Sequence, residues 1–172
     1  MTQNKILHNH FKNIWKPSIQ DFEYSGMNLV DEINDLSPSA VLDVGCGYNP
    51  FKNKIHNLYS IDPYNSAADE EVGILDFVST KKYNVILALG SINFGNRSDI
   101  ENQVEKVLSL CTDDGVVYFR VNPGIPDENS PLVKHYPWSS EIIHDIFVSK
   151  FGLRLSNINE EFNGRLVFTV RK

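Results

Sequence analysis

The sequence predicts an α/β fold: a mostly parallel sheet with helices on both faces and an antiparallel hairpin strand at the C-terminal end. Three observations predict it. Short apolar segments at 40–44, 58–62, 72–75, 84–89 and 116–121 alternate with helical or polar stretches, the order expected of parallel strands joined by crossovers. The run 84–89 (NVILAL) is apolar without a break, as a central strand covered on both faces must be. The chain closes with two strand-like segments, 153–158 and 166–170, around a polar turn containing Asn163-Gly164.

The elements justify themselves in order. Ile6, Leu7, Phe11, Ile14 and Trp15 recur at helical spacing until Pro17. Ser18 and Asp21 resemble a capping box for a second helix, with Phe22, Leu29, Val30, Ile33 and Leu36 on its apolar face and Gly26 in its interior. Ser37-Pro38-Ser39 breaks it before the first strand. A glycine turn, a brief helical piece over 51–56 and the strand at 58–62 follow. Ser98 and Glu101 suggest a capping box for a helix carrying Ile100, Val104, Val107 and Leu108 on one face. Residues 140–151 form the last helix, with Ile142, Ile143, Ile146 and Phe147 apolar. The length of 172 residues fits a single domain, with N-terminal helices over 1–36 and a ligand-binding core over 37–172.

Bulk properties narrow the class. Hydrophobic residues make up 41% and charged residues 22%, an ordinary globular balance. No apolar run reaches membrane-spanning length, and the N-terminus has no secretory pattern. Two cysteines, Cys46 and Cys111, are neither a disulfide framework nor a zinc set, so a reducing, cytoplasmic setting is the expectation. His8, His10, His56 and His144 show no ligand spacing, and no metal site is expected. The net charge of −6, without a Lys/Arg-rich stretch, argues against a nucleic-acid backbone as partner.

The chemistry concentrates at Asp43-Val44-Gly45-Cys46-Gly47. A strand ends there and the chain reverses; glycine permits φ > 0 and lets a ligand approach the backbone. In open α/β sheets ligands bind at such strand ends. Asp62 lies 19 residues beyond Asp43, close to the spacing at which an acid ending the second strand meets ribose hydroxyls. The stretch Val41-Leu42-Asp43-Val44-Gly45-Cys46-Gly47 resembles motif I of class I S-adenosylmethionine (SAM)-dependent methyltransferases, and the order of elements extends the resemblance over residues 29–172. A narrower similarity is to small methyltransferase-domain proteins carried by phages. The resemblance implies a Rossmann-like class I methyltransferase sheet and SAM as cofactor. It implies that Asp43, Gly45, Cys46 and Gly47 meet the amino-acid part of SAM, that Asp62 and Pro63 meet the ribose, and that Asp76 and Phe77 meet the adenine. Leu89 and Gly90, ahead of Ser91, would line the methyl-donor channel. The helix after the glycine turn must be short, and the one after Asp62 absent, so this is a reduced version of the fold.

The acceptor is less legible. After the strand ending at Leu89 stands Gly90-Ser91-Ile92-Asn93-Phe94, not the Asp/Asn-Pro-Pro-aromatic motif of amino-DNA methyltransferases, and no Pro-Cys pair serves cytosine C5 chemistry. A small-molecule or protein acceptor remains. His135 is the candidate base, with Tyr136 and Trp138 as flanking clamps and Asn93, Asn122 and Arg120 as further contacts. The proline-rich segment 122–138 is long for a structureless loop, and is expected to wall the acceptor side. The N-terminal segment fits a lid over the cofactor or plain core packing. Two rivals stay open: a SAM-binding regulatory or scaffold module without catalysis, and an NAD-type oxidoreductase. Against the second stand Pro50, where dinucleotide folds place a third glycine, and the terminal hairpin.

Overall fold

The computed structural model describes residues 3–16, 26–126 and 131–172. Ser18, Asp21 and Phe22 of the expected second helix lie outside them. One seven-stranded sheet runs β2-β1-β3-β4-β7-β5, with β6 also pairing β7. The strands are β1 (Val41–Val44), β2 (Leu58–Ile61), β3 (Tyr83–Leu89), β4 (Cys111–Val121), β5 (Arg154–Leu155), β6 (Asn159–Glu160) and β7 (Leu166–Arg171). β1 through β4 are mutually parallel; β7 enters antiparallel between β4 and β5. The parallel half and the inserted antiparallel strand are as the sequence predicts.

The period of two in each strand separates two cores. Leu42, Val44, Ile86, Ala88, Val117 and Phe119 face the larger one, with Ile100, Val104 and Val107 of α3 (Arg97–Leu110) and Ile143 of α4 (Ser140–Ile143). A π-helical turn, His144–Lys150, continues α4 and adds Ile146 and Phe147. Val41, Val85, Leu87, Val116 and Tyr118 face the smaller core, covered by Ile33 of α2 (Val30–Asp35) and by Phe51 and Ile55. β1 is buried along its whole length, as its place between β2 and β3 demands.

Several expectations are corrected. The helical piece at 51–56 is a single turn, in which Lys54 and Ile55 N–H both donate to Phe51 O. Asn49, Asn53 and Asn57 adopt positive φ and stop any helix between them. Residues 72–75 form no strand. Beyond β2 there is only an isolated bridge, Ile61 to Glu70, and Asp76 and Phe77 N–H then turn back onto Gly73 O. Gly26 is not inside a helix: it sits at φ 82° just before a 3-10 turn, Met27–Leu29. Leu36 is exposed rather than on the apolar face. The capping box of α3 is Asn96 with Asp99, two residues earlier than Ser98 with Glu101, because Asn96 is the extended residue whose side chain meets Asp99 N–H. Of the segment 153–158 only β5 is a strand; β6 follows it, the two pair opposite ends of β7, and Ser156 Oγ accepts from Thr169 N–H between them.

Candidate cofactor and acceptor site

The carboxyl ends of β1, β3 and β4 open on one cavity of about 870 Å³. At the β1 end, Gly45 and Gly47 have φ of 73° and 56°. Gly45 and Cys46 N–H both donate to Ile61 O, at 2.8 and 3.1 Å, which fastens the turn to β2. A Cβ on Gly45 would lie 2.3 Å from Ser91 Cβ, so glycine is required there by the protein's own neighbouring turn. Gly47 N–H donates to Asp62 Oδ2 at 2.9 Å and Tyr64 N–H to Asp62 Oδ1 at 2.8 Å. Asp62 therefore pins the turn while lining the cavity; burial raises its pKa and these backbone donors pull it back.

Asp43 is the anomaly of the site. It is 2% exposed, and its Oδ2 has no hydrogen-bond partner among the described residues. Burial, then the charge of Asp62, pushes its pKa up to about 7. The buried Ser91 Oγ, across from Gly45, is equally unpartnered. Buried polar atoms in native structures are nearly always satisfied, so two orphans on one cavity wall point to a ligand. Burial pushes the Cys46 thiol up to about 12, and its Sγ rests near Gly47 O, so it serves as wall and not as nucleophile. Pro63, Asp76, Leu89 and Gly90 also line the cavity. A Cβ on Gly90 would meet nothing within 4 Å, so that residue faces open space. Phe77 is corrected: it is 2% exposed, packs in the larger core and stacks on Tyr59 at 6.1 Å, away from the cavity wall.

The N-terminal segment is a strap across this cavity. It comprises α1 (Gln3–Asn9) and a π-helical turn, His10–Ile14. Phe11 stacks on Tyr64 at 5.5 Å and meets Phe94 edge-on at 5.6 Å, bridging the segments that follow β2 and β3. Trp15 packs at 5.4 Å on Tyr48 and would be met by a Cβ on Gly47 at 3.1 Å. Lys12 pairs with Glu71 at 2.9 Å. Asn4, Leu7, His8 and His10 complete the strap's lining.

At the other end the expected contacts divide. His135 lines the cavity, its ring 5.2 Å from Phe94. Asn93 and Asn122 line it too, but their side chains are braces. Asn93 Nδ2 donates to Gly90 O and its Oδ1 accepts from Asn122 N–H; Asn122 Oδ1 accepts from Gly124 and Ile125 N–H. They tie the end of β3 to the end of β4. Tyr136 and Trp138 are corrected: Trp138 is 1% exposed, donates from Nε1 to Ile92 O at 3.0 Å and stacks on Phe147, and neither ring lines the cavity. Arg120 does line it, along with Asn163, Arg165 and Val133, which sequence reasoning missed. Val133 lies within the segment 122–138 that was expected to wall the acceptor side, whereas Asn163 and Arg165 stand at a hairpin turn that read as a simple turn. Among the described residues no cluster of three potential metal ligands occurs, and no helix is long and apolar enough to cross a membrane.

Taken together, the sheet order, the glycine turn at the end of β1 and the acid after β2 define a Rossmann-like protein with its ligand cleft at the strand ends. The particular version is the class I SAM-dependent methyltransferase fold, as solved structures make plain. The 1,6-didemethyltoxoflavin-N1-methyltransferase of Burkholderia thailandensis, with bound 1,6-didemethyltoxoflavin and S-adenosylhomocysteine, superposes with a TM-score of 0.72. Identity is 14%, over 98% of this chain and 88% of that one. The N-methyltransferase NodS of Bradyrhizobium japonicum, in complex with S-adenosylhomocysteine, gives 0.69 and 13% over 100% and 99%. The magnesium protoporphyrin IX methyltransferase of Synechocystis, with bound SAM, gives 0.68 and 13% over 100% and 98%. No protein-family model matches the sequence, and no curated protein matches it.

Proposed function

We propose that this chain binds SAM and transfers its methyl group to a small molecule. The observation that carries the reading is Asp43: a buried carboxylate with an unpartnered oxygen at a glycine turn fits a ligand that brings a cation, as the α-ammonium group of SAM does. The residues present fit the rest of that cofactor. Ser91 Oγ offers a second polar contact at the same wall. Asp62 keeps lone pairs for ribose hydroxyls while holding Gly47, and Asp76 stands on the lining beyond it for the adenine amino group. SAM supplies an electrophilic methyl group on a sulfonium.

The chain's own work is then positional. The ends of β3 and β4, braced by Asn93 and Asn122, set the acceptor wall. His135 takes the proton of the acceptor's nucleophile, and the strap keeps water from the cavity. A cavity partly roofed by Phe11 and Trp15 favours a small molecule over a protein side chain. Pro50 on the lining, in place of a third glycine, and β7 within the sheet both speak against a dinucleotide cofactor.

Calorimetry with SAM, S-adenosylhomocysteine and NAD, run on wild type and on Asp43→Asn, tests this. Binding of SAM and its demethylated product by wild type alone is the expected result. NAD binding without SAM binding would overturn it. SAM binding without methyl transfer to any acceptor would move the chain to a non-catalytic SAM-binding module.

A further inference from the structure

Four rings line the cavity in one row. Tyr64 follows β2, Phe11 belongs to the strap, Phe94 follows β3, and His135 lies between β4 and α4. Successive centroids are 5.5 Å apart from Tyr64 to Phe11, 5.6 Å from Phe11 to Phe94 and 5.2 Å from Phe94 to His135. All four are half-buried, unlike Tyr136 and Trp138, which the core takes.

The two ends of the row are held differently. Tyr64 and Phe11 lie 9° from parallel, so that pair is packing that fastens the strap. Phe94 and His135 are set by the backbone. Asn93 O accepts from Tyr136 N–H at 2.6 Å, Asn93 Oδ1 accepts from Asn122 N–H at 2.8 Å, and Ile92 O accepts from Trp138 Nε1 at 3.0 Å. These bonds fix the two residues before Phe94 and the residue after His135. Phe94 has two ring neighbours, His135 at 40° and Phe11 at 75°, and is stacked on neither.

The spacing decides what such a row can hold. A ring sandwiched between two others needs them roughly 7 Å apart, twice the carbon contact distance. No successive pair here leaves that space, so neither a sandwiched ring nor a caged cation fits between them. The row is a one-sided platform, on which a planar ring can lie in offset contact. A ring on Phe94 would have the His135 imidazole at its edge. Gly90 and Ser91, just ahead of Phe94 in the chain, line the same cavity where the methyl donor is proposed.

We propose that Phe94 is the acceptor platform, and that the methyl acceptor is a planar aromatic molecule whose nucleophilic oxygen or nitrogen is borne on the ring itself, beside His135. The assignment rests on the methyltransferase reading above. The acceptor gives its proton to His135 and bonds the methyl carbon through that heteroatom, while the C–S electron pair leaves with the sulfur.

The test titrates 2-naphthol, 2-naphthaleneethanol and trans-2-decalol into the protein saturated with S-adenosylhomocysteine. All three carry a hydroxyl on two fused rings, but decalol is saturated and puckered, and naphthaleneethanol holds its hydroxyl two carbons off the ring. Plain hydrophobic filling would not favour naphthol over decalol. Naphthol should bind at least fivefold tighter than decalol and at least threefold tighter than naphthaleneethanol. Phe94→Leu, which keeps an apolar side chain, should erase the first preference. His135→Phe, which keeps a ring, should erase the second and leave the first. Affinity for S-adenosylhomocysteine should be unchanged in both variants, which also reports that they are folded. Decalol binding as tightly as naphthol, no naphthol binding in the millimolar range, or an aromatic preference that survives Phe94→Leu would overturn the platform. Equal affinity for naphthol and naphthaleneethanol would overturn the ring-borne nucleophile. A tenfold loss of S-adenosylhomocysteine affinity in Phe94→Leu would assign the ring to the cofactor instead. Failure of wild type to bind S-adenosylhomocysteine would defeat the methyltransferase reading separately; the same titrations on the ligand-free protein would still decide the platform.

Discussion

The two halves of the cavity are built on opposite plans. The half over β1 and β2 is made from near neighbours: Gly45, Cys46 and Gly47 are consecutive, and they are fastened to Ile61 and Asp62 on the adjacent strand. The half over β4 and β7 gathers residues from five separate stretches: the strap, Phe94, Arg120 with Asn122, Val133 with His135, and Asn163 with Arg165. The first half holds Asp43 Oδ2 and Ser91 Oγ without hydrogen-bond partners among the described residues, whereas the second braces Asn93 against Asn122 and pairs Arg120 with Glu161. The half proposed for the cofactor is thus specified by backbone geometry and the half proposed for the acceptor by side chains on loops, which can change without disturbing the sheet.

The largest effect should come from Gly45→Val. Its Cβ would fall on Ser91 and its φ of 73° is strained for a branched residue. Cofactor binding should vanish, and Tm should fall by on the order of 10 °C, because the clash is with the protein itself as well as with a ligand. Unchanged Tm in thermal melts would mean that the turn and Ser91 are not in contact.

Asp43→Asn should separate the two quantities that Gly45→Val loses together. The raised pKa fixes the sign. Below the ordinary value of 3.8 Asp43 is protonated folded or unfolded and costs nothing; between there and about 7 stability is progressively lost, and above that the full penalty of roughly 4 kcal/mol applies. The ligand-free variant should therefore melt higher than wild type at pH 8, with the difference shrinking toward pH 4. SAM affinity should fall at least about 100-fold, the cost of removing one partner of a buried charge pair. In wild type that affinity should climb as pH rises through about 7. A variant that binds SAM as wild type does at pH 8 would empty the assignment.

The same contrast explains what the sequence disclosed. The places of Asp43, Gly45, Gly47 and Asp62 on the cavity were legible because they depend on spacing and on backbone conformation, which a single sequence carries. Ser91 was read with Leu89 and Gly90 at a strand end near the methyl-donor channel, but its contact with Gly45 was not, since that joins two strand ends far apart in the chain. Phe77 and Trp138 misled for one reason: an aromatic residue next to a predicted site reads the same whether it faces the cavity or the core, and both face the core. Arg165 gave no signal, because only the β6–β7 turn brings it to Arg120's end of the cavity. The entry of an antiparallel strand, β7, into a mostly parallel sheet was legible from the closing hairpin. The length of each element was not, since left-handed asparagines and a displaced cap decide it locally.

On the acceptor side, His135→Gln is the cleaner probe than any change at Trp138, whose loss would disturb the core. It should leave SAM affinity unchanged and lower turnover of an accepted substrate by about tenfold. Equal losses in SAM affinity and turnover would move His135 to the cofactor half.

The smallest effect should be at Ser91, and it sharpens the contrast best. Its Oγ is buried and unpartnered in the ligand-free protein, so removing it leaves no broken hydrogen bond behind. An orphaned buried hydroxyl costs about 1–3 kcal/mol, and alanine fills nearly the same space. Ser91→Ala should therefore keep or raise the Tm of the ligand-free protein, by at most a few degrees. The same hydroxyl is proposed to meet SAM, and a neutral hydrogen bond contributes about 1 kcal/mol, or roughly fivefold in affinity. Higher stability with weaker binding is the signature of a polar group held ready for a ligand. A bracing role like that of Asn93 predicts the reverse, a lower Tm with affinity unmoved. Thermal melts and calorimetry on this one variant distinguish them, and lower Tm with unchanged affinity would move Ser91 from the binding set to the frame.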